Sequence, residues 1–221
     1  MLSSVFVDFG DTLAYFKPRL YTVIRETLNN HGYEFSEKKI FRAYVASCSK
    51  NNFPDEVGHN PIDLRDFIYR LGITKFSEEL IGDLQKANSI RGEAFLFEDS
   101  IKFLQEVKSI GLRLVLVSNA TKNVKGNVER LGIAEYFDGI VISSLVNSIK
   151  PHPRIFEIAG RYGGYPAVHL GDTYEIDYLG AKRSYVRGIL VDRYDFYDDV
   201  KVNRVRNLEE ALILIEKMVR E

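Results

Sequence analysis

Along the chain, apolar residues fall into two kinds of pattern. Five short runs, SVFVD (4–8), LRLVLVSN (112–119), GIVIS (139–143), AVHLG (167–171) and GILVD (188–192), are β-branched or aliphatic at mostly consecutive positions. Strands read this way when both faces of a parallel sheet are covered. Between the runs the spacing is helical. Phe103, Leu104, Val107 and Ile110 share one side of a segment that Asp99 or Ser100 can cap and Gly111 can end. Val124, Val128 and Leu131 repeat at helical spacing within 121–132, a helix over 152–164 opens near Pro153, and 208–219 forms a last amphipathic helix. Strand then helix, repeated, predicts right-handed βαβ crossovers and an α/β fold with an open, doubly wound, mainly parallel sheet.

One stretch breaks this alternation. Between the first strand and the second, segments 20–31, 37–49, 62–71 and 77–90 read as helices, with no strand signal among them. The pattern predicts a helical cap over 16–91, inserted after the first strand, and a core assembled from 1–15 and 92–221. SKNNFPDEVGHNP (49–61) is the long polar loop of the cap, and reads equally as a connector or as a ligand contact.

Composition narrows the setting. The 221 residues are 45% hydrophobic and 28% charged, which is globular and not disordered. Thirty Lys and Arg nearly cancel 31 Asp and Glu, so nothing points to nucleic acid or an anionic membrane as partner. MLSSVFVDFGDTL has no basic flank and too short an apolar run for a signal peptide or a membrane span. Cys48, the single cysteine, rules out an internal disulfide. The expected location is the cytoplasm, as monomer or homodimer.

Polar residues gather at the carboxyl ends of the expected strands. The first strand ends in Asp8, the second in Ser118 and Asn119, and the fourth in Gly171 and Asp172, with Asp177 just beyond; Lys150 follows the third. Open parallel sheets bind ligands at that edge. Carboxylates there can hold Mg²⁺, a lysine meets phosphate oxygens, and an aspartate can attack phosphorus to form an aspartyl-phosphate.

Asp8 with Thr12 four residues on, Ser118-Asn119, Lys150-Pro151 followed by RIF, and GDTYEIDYLGA, in this order, resemble the four motifs of the haloacid dehalogenase-like hydrolase superfamily. The resemblance covers about 1–15 and 92–221, and the helical insertion sits where helical-cap members carry theirs. It implies Asp8 as nucleophile and metal ligand, and Gly10 as a metal ligand through its carbonyl. Asp172 is implied as a direct metal ligand and Asp177 as a direct or water-mediated one. Ser118 and Asn119 would hold the phosphoryl group. Thr12 would orient the loop and count with the phosphate ligands, and Lys150 would neutralise both the nucleophile and the phosphate. The implied cofactor is Mg²⁺ and the implied substrate a small phosphorylated molecule.

The first motif departs from the family. Its phosphatases usually read Asp-x-Asp-Gly-Thr, the second aspartate serving as general acid, whereas here the order is Asp8-Phe9-Gly10-Asp11-Thr12, a variant that a subset of the family shares. Three readings of Asp11 stay open: it turns into the acid position as a catalytic residue, water protonates the leaving group, or the chemistry is not ester hydrolysis. Beside a phosphatase stand a phosphonate-cleaving or dehalogenase-like hydrolase and a non-catalytic binding protein of the same fold. His169 reads as a hydrogen-bonded core residue, Lys182 and Arg183 as a solvated helix face, and RYDFYDDV (193–200) as a loop packed on the core.

Overall fold

The computed structural model describes residues 1–56 and 58–220; Val57, inside the polar segment 49–61, and Glu221, the end of the expected core range, lie outside the described residues. In chain order the elements are β1 (Ser4–Val7), β2 (Ala14–Lys17), α1 (Leu20–Asn30), α2 (Glu37–Cys48), α3 (Leu64–Leu71) and α4 (Glu78–Ser89). There follow β3 (Glu93–Leu96), α5 (Ser100–Ser109), β4 (Arg113–Ser118), α6 (Asn123–Arg130), β5 (Gly139–Ile142), α7 (Ser143–Val146) and α8 (Pro153–Gly163). The chain closes with β6 (Ala167–Gly171), α9 (Leu179–Arg183), β7 (Arg187–Val191), β8 (Arg204–Val205) and α10 (Leu208–Arg220).

Six strands form one sheet in the order β5-β4-β1-β6-β7-β8, every neighbouring pair parallel. Side chains alternate across it, as a strand's geometry requires. Val5 and Val7 of β1 join one apolar cluster with Phe103, Leu104 and Val107 of α5 and Leu208, Ala211 and Ile215 of α10. Phe6 joins the other with Ile155, Phe156 and Ala159 of α8 and Ala181 of α9. Both faces are covered, and this is why the strands read as unbroken apolar runs. With β4 on one side of β1 and β6 on the other, the carboxyl end of β1 is the crevice where ligands of such sheets bind.

The four helices α1 to α4 pack on one another through Ile24, Leu28, Ile40, Phe67, Ile68, Leu71 and Leu84. A second apolar contact joins them to the sheet: Phe41, Val45 and Cys48 of α2 meet Ile176, Leu190, Phe196 and Tyr197. Lys38 pairs with Asp198, and Arg42 with Asp199 at 2.8 Å, at the rim of that contact.

Three expectations need correction. The stretch between β1 and β4 is not free of strands, because β2 and β3 pair antiparallel where the chain enters and leaves the helical insertion. Each is four residues long and finds its partner about 80 residues away, so neither carries a local signal. The two-residue β8 is too short to read for the same reason. Neither Asp99 nor Ser100 caps α5 through its side chain. Ser100 Oγ instead donates to the Leu13 carbonyl at 2.7 Å, and the Asp99 carboxylate accepts from the Leu208 N–H at 2.8 Å, capping α10.

Asp99 also takes a two-pronged ion pair from Arg193, at 3.0 and 2.8 Å, while Arg193 Nε and Nη2 donate to the Thr12 carbonyl at 3.1 and 2.8 Å. Both side chains are largely buried, so removing one partner strands the other. Arg193→Met is expected to lower the free energy of urea unfolding by about 3–5 kcal/mol. A loss below about 1 kcal/mol, the range of a surface pair, would contradict this clamp.

Candidate active site

A cleft of about 1020 Å³ opens between the sheet edge and the helical insertion. Asp8, Gly10, Asp11, Ser118, Asn119, Lys150, Asp172 and Asp177 all line it, brought there from the ends of β1, β4 and β6 and from the loop after α7. At its floor lies the Lys150 ammonium, 2% exposed, donating to Asp8 Oδ1 at 2.6 Å and to Asp177 Oδ1 at 2.7 Å. Burial works against a charged lysine, but the two carboxylates outweigh it and hold the group protonated.

Asp177 is hydrogen-bonded through both carboxylate oxygens. Its Oδ1 accepts from Lys150 Nζ and, at 2.8 Å, from His169 Nε2; its Oδ2 accepts from Thr173 Oγ1 and, at 3.1 Å, from the Thr173 N–H. Four donors saturate both oxygens, and despite burial they keep the carboxylate ionised, with its pKa lowered. In this arrangement Asp177 anchors Lys150. A π-type turn, Tyr174–Tyr178, folds Asp177 back beneath β6. It fits there only because residue 171 is glycine, since a Cβ at that position would lie 2.2 Å from Asp177 Cγ.

The carboxylates left for a cation are Asp8 and Asp172. Burial raises Asp8 to about 6 in spite of Lys150, and burial with repulsion from Asp177, Asp8 and Asp11 holds Asp172 well above the usual carboxylate range. Three carboxylates gather around one ammonium, so when ionised they carry more negative charge than it offsets. Crowded hard oxygen donors with that surplus fit a divalent cation such as Mg²⁺. Gly10 lies at the same edge, where an added Cβ would meet only Phe16 Cε2 at 3.5 Å.

Two phosphate-site expectations also change. Asn119 Nδ2 donates to the Lys150 carbonyl at 2.8 Å and to Asn60 Oδ1 at 2.7 Å, while its Oδ1 accepts from the Lys150 N–H at 2.8 Å. Both amide hydrogens are spent, so the side chain clamps the Lys150 backbone and offers no donor to a phosphoryl group. Thr12 is fully buried and outside the cleft wall, its carbonyl held by Arg193. Ser118, by contrast, ends β4 in the cleft wall with a hydroxyl that makes no hydrogen bond among the described residues. Asp11 takes a left-handed backbone, φ 49°, and Tyr194 O–H reaches its Oδ1 at 3.4 Å.

Several contributors went unread in the sequence. Thr173 follows the fourth-motif aspartate, and only the π-type turn reveals its bond to Asp177. Asn60 comes from the polar loop 49–61, which lies against the core: Ser143 Oγ donates to the Gly58 carbonyl at 2.5 Å. Arg193 reads as one more polar residue after a strand. His169 does sit as a buried core histidine, neutral because burial lowers its pKa.

The haloacid dehalogenase-like hydrolase family profile matches residues 2–184. The haloacid dehalogenase-like hydrolase domain-containing protein 3 of Danio rerio is 36% identical over 103 residues, 45% of this chain and 43% of that protein. Phosphoserine phosphatase of Thermus thermophilus is 33% identical over 125 residues (53% and 50%), and glyceraldehyde 3-phosphate phosphatase of Methanothermobacter thermautotrophicus 38% over 100 (43% and 44%). The chain thus spans about half or less of the length of these curated relatives. In fold it resembles a phosphatase of the same superfamily from Thermococcus onnurineus, with TM-score 0.60, 21% identity, and 97% and 98% of the two chains covered. No helix among the described residues is long and apolar enough to cross a membrane. With the six-stranded sheet, the acidic cleft at its edge and a profile match over most of its length, the chain belongs to the haloacid dehalogenase-like hydrolases.

Proposed function

We propose that this hydrolase is a Mg²⁺-dependent phosphatase acting on a small phosphate monoester through an aspartyl-phosphate, in the cytoplasm, with the helices of 16–91 as its cap. The observation that carries the reading is the Asp8 carboxylate: Lys150 fixes Oδ1 at 2.6 Å, and Oδ2 takes no side-chain hydrogen bond among the described residues. One oxygen is thereby oriented while the other is left to attack phosphorus.

Asp8 would displace the alkoxide, which takes a proton from water as it leaves as the alcohol, and a second water would then hydrolyse the acyl phosphate, releasing inorganic phosphate and restoring the carboxylate. Lys150 meets the charge on the phosphoryl oxygens from the floor of the site, and the free Ser118 hydroxyl donates to one of them. Asp8, Asp172 and the Gly10 carbonyl would hold the Mg²⁺, which when bound supplies positive charge against the nucleophile and the phosphoryl group. Phosphoryl transfer depends mainly on such positioning and electrostatics, and a buried, permanently charged lysine provides both. The phosphatase names among the curated relatives agree with this reading.

With p-nitrophenyl phosphate as substrate, turnover is expected with Mg²⁺, to vanish with EDTA, and to fall at least about 10³-fold in Asp8→Asn, as when a nucleophile is removed. No turnover by the wild type on this and a panel of other phosphate esters would overturn the proposal. Gly171→Ala drives a methyl group into the Asp177 carboxylate and displaces Lys150. It is expected to cost about 10²-fold in kcat/KM, the scale of a misplaced catalytic group; a rate within twofold of wild type would contradict the anchoring role of Asp177.

A further inference from the structure

The polar loop between α2 and α3 comes down on the core beside Lys150, and the reaction above makes no use of it. Asp55 holds the descending strand of this loop in shape. Its Oδ1 accepts from the N–H groups of Gly58 and His59, at 2.8 Å each, and its own N–H donates to the His59 carbonyl at 2.9 Å. Gly58 takes a left-handed backbone, φ 100°, and lies tight on the core. A Cβ there would stand 2.2 Å from Ser144 Cβ and 3.0 Å from the Ala120 carbonyl oxygen. The Ser143 hydroxyl accepts from the Ala120 N–H at 2.8 Å and gives its proton to the Gly58 carbonyl at 2.5 Å.

Two residues on, the loop reaches the site. Asn60 Oδ1 accepts from Asn119 Nδ2 at 2.7 Å. Asn119 in turn grips the Lys150 backbone at both ends, its Oδ1 accepting from the N–H and its Nδ2 donating to the carbonyl, each at 2.8 Å. Of these three bonds, the one to Asn60 alone comes from the helical insertion. The last torsion of an asparagine side chain is soft, so its setting depends on what the amide binds. A primary amide has two hydrogens to give; the Lys150 carbonyl takes one and Asn60 the other. Asn119 and Ala120 follow Ser118 directly, so the loop rests on the segment that carries the free Ser118 hydroxyl.

We infer that Gly58 and Asn60 form a latch that ties the position of the cap to the position of Lys150, and that Asn60 is a positioning residue acting on Lys150 through Asn119. The latch is separate from the apolar contact that α2 makes with the sheet. With the loop docked, the Asn119 amide is held from three directions, and the Lys150 backbone with it. With the loop lifted, one Asn119 hydrogen turns to water and the grip on the Lys150 N–H and carbonyl loosens. Lys150 is therefore set in place when the cap is down, the state in which a reacting phosphoryl group is kept from water. In this role Asn60 acts on the step that Lys150 serves, and not on the grip on substrate.

The test uses the full chain and the variants Asn60→Ala, Asn119→Ala, the double Asn60→Ala/Asn119→Ala, and Gly58→Ala. Its first arm needs no turnover and follows amide hydrogen exchange at the Lys150 N–H, which Asn119 Oδ1 covers. Asn60→Ala removes no bond of Lys150 itself, yet is expected to speed that exchange about tenfold, the scale of one hydrogen bond. Asn119→Ala should speed it at least as much, and the double variant no more than Asn119→Ala. Unchanged exchange in Asn60→Ala, or effects of the two substitutions that add, would overturn the inference. The kinetic arm rests on the phosphatase reading and uses p-nitrophenyl phosphate. Asn60→Ala should lower kcat about tenfold with KM within about twofold of wild type. Gly58→Ala, which pushes the loop off Ser144 and leaves Asn60 in the chain, should do the same. A rise in KM with unchanged kcat would make Asn60 a substrate contact and overturn the latch, as would wild-type kinetics in Gly58→Ala. If the wild type turns over no phosphate ester, the phosphatase reading fails and the exchange arm still decides this one.

Discussion

The ammonium group of Lys150 lies at the base of the cleft, out of contact with water, and a charge in that position needs carboxylates to hold it. Asp8 supplies one at 2.6 Å and Asp177 another at 2.7 Å. Meeting that demand explains much of the surrounding architecture. β1 lies between β4 and β6, so Asp8 emerges at the crevice. Asn119 grips the Lys150 backbone at both its N–H and its carbonyl. The π-type turn and Gly171 let Asp177 come in from beneath, where His169 and Thr173 fill its remaining acceptor sites. In a low-dielectric setting each unsatisfied member of such a network is costly; Asp177 is satisfied, while His169 Nδ1 has no hydrogen-bond partner among the described residues.

The same arrangement separates two duties among the carboxylates. Asp177 is ionised and fully occupied, a counter-charge for Lys150. Burial raises both Asp8 and Asp172 above the ordinary carboxylate range, and repulsion from Asp177 adds to it. In the proposed function that pair holds the cation and Asp8 is the nucleophile. The helical insertion adds the other wall of the cleft. It has its own apolar core, it touches the sheet through Phe41 and Val45, and its polar loop sends Asn60 to the Asn119 amide. Groups that do chemistry thus come from strand ends, and groups that shape the space around them come from the insertion.

How much of this was legible in the sequence depends on the range of each interaction. Apolar runs and helical spacing are local, so the parallel sheet and the four inserted helices could be read directly. Asp8, Ser118, Lys150 and Asp172 could be placed because strand ends converge by topology. The antiparallel β2–β3 pair could not, since its two strands are far apart in sequence and each is short. Asn119, Thr12 and Asp177 were found as residues but not as parts: whether an amide, hydroxyl or carboxylate faces a ligand or a neighbour depends on hydrogen bonds that no spacing encodes. Arg193 and Tyr194 lie some 180 residues from the loop they strap, and nothing in RYDFYDDV marks them out.

The central claim is that Lys150 and Asp177 act as one unit. A double-mutant cycle of Lys150→Met and Asp177→Asn, read as free energies of urea unfolding, tests it most directly. The account predicts that each single substitution is strongly destabilising, about 3–5 kcal/mol, and that the double variant loses at least about 2 kcal/mol less than the sum of the two. Losses that add within about 0.5 kcal/mol would show two independent residues and contradict the account.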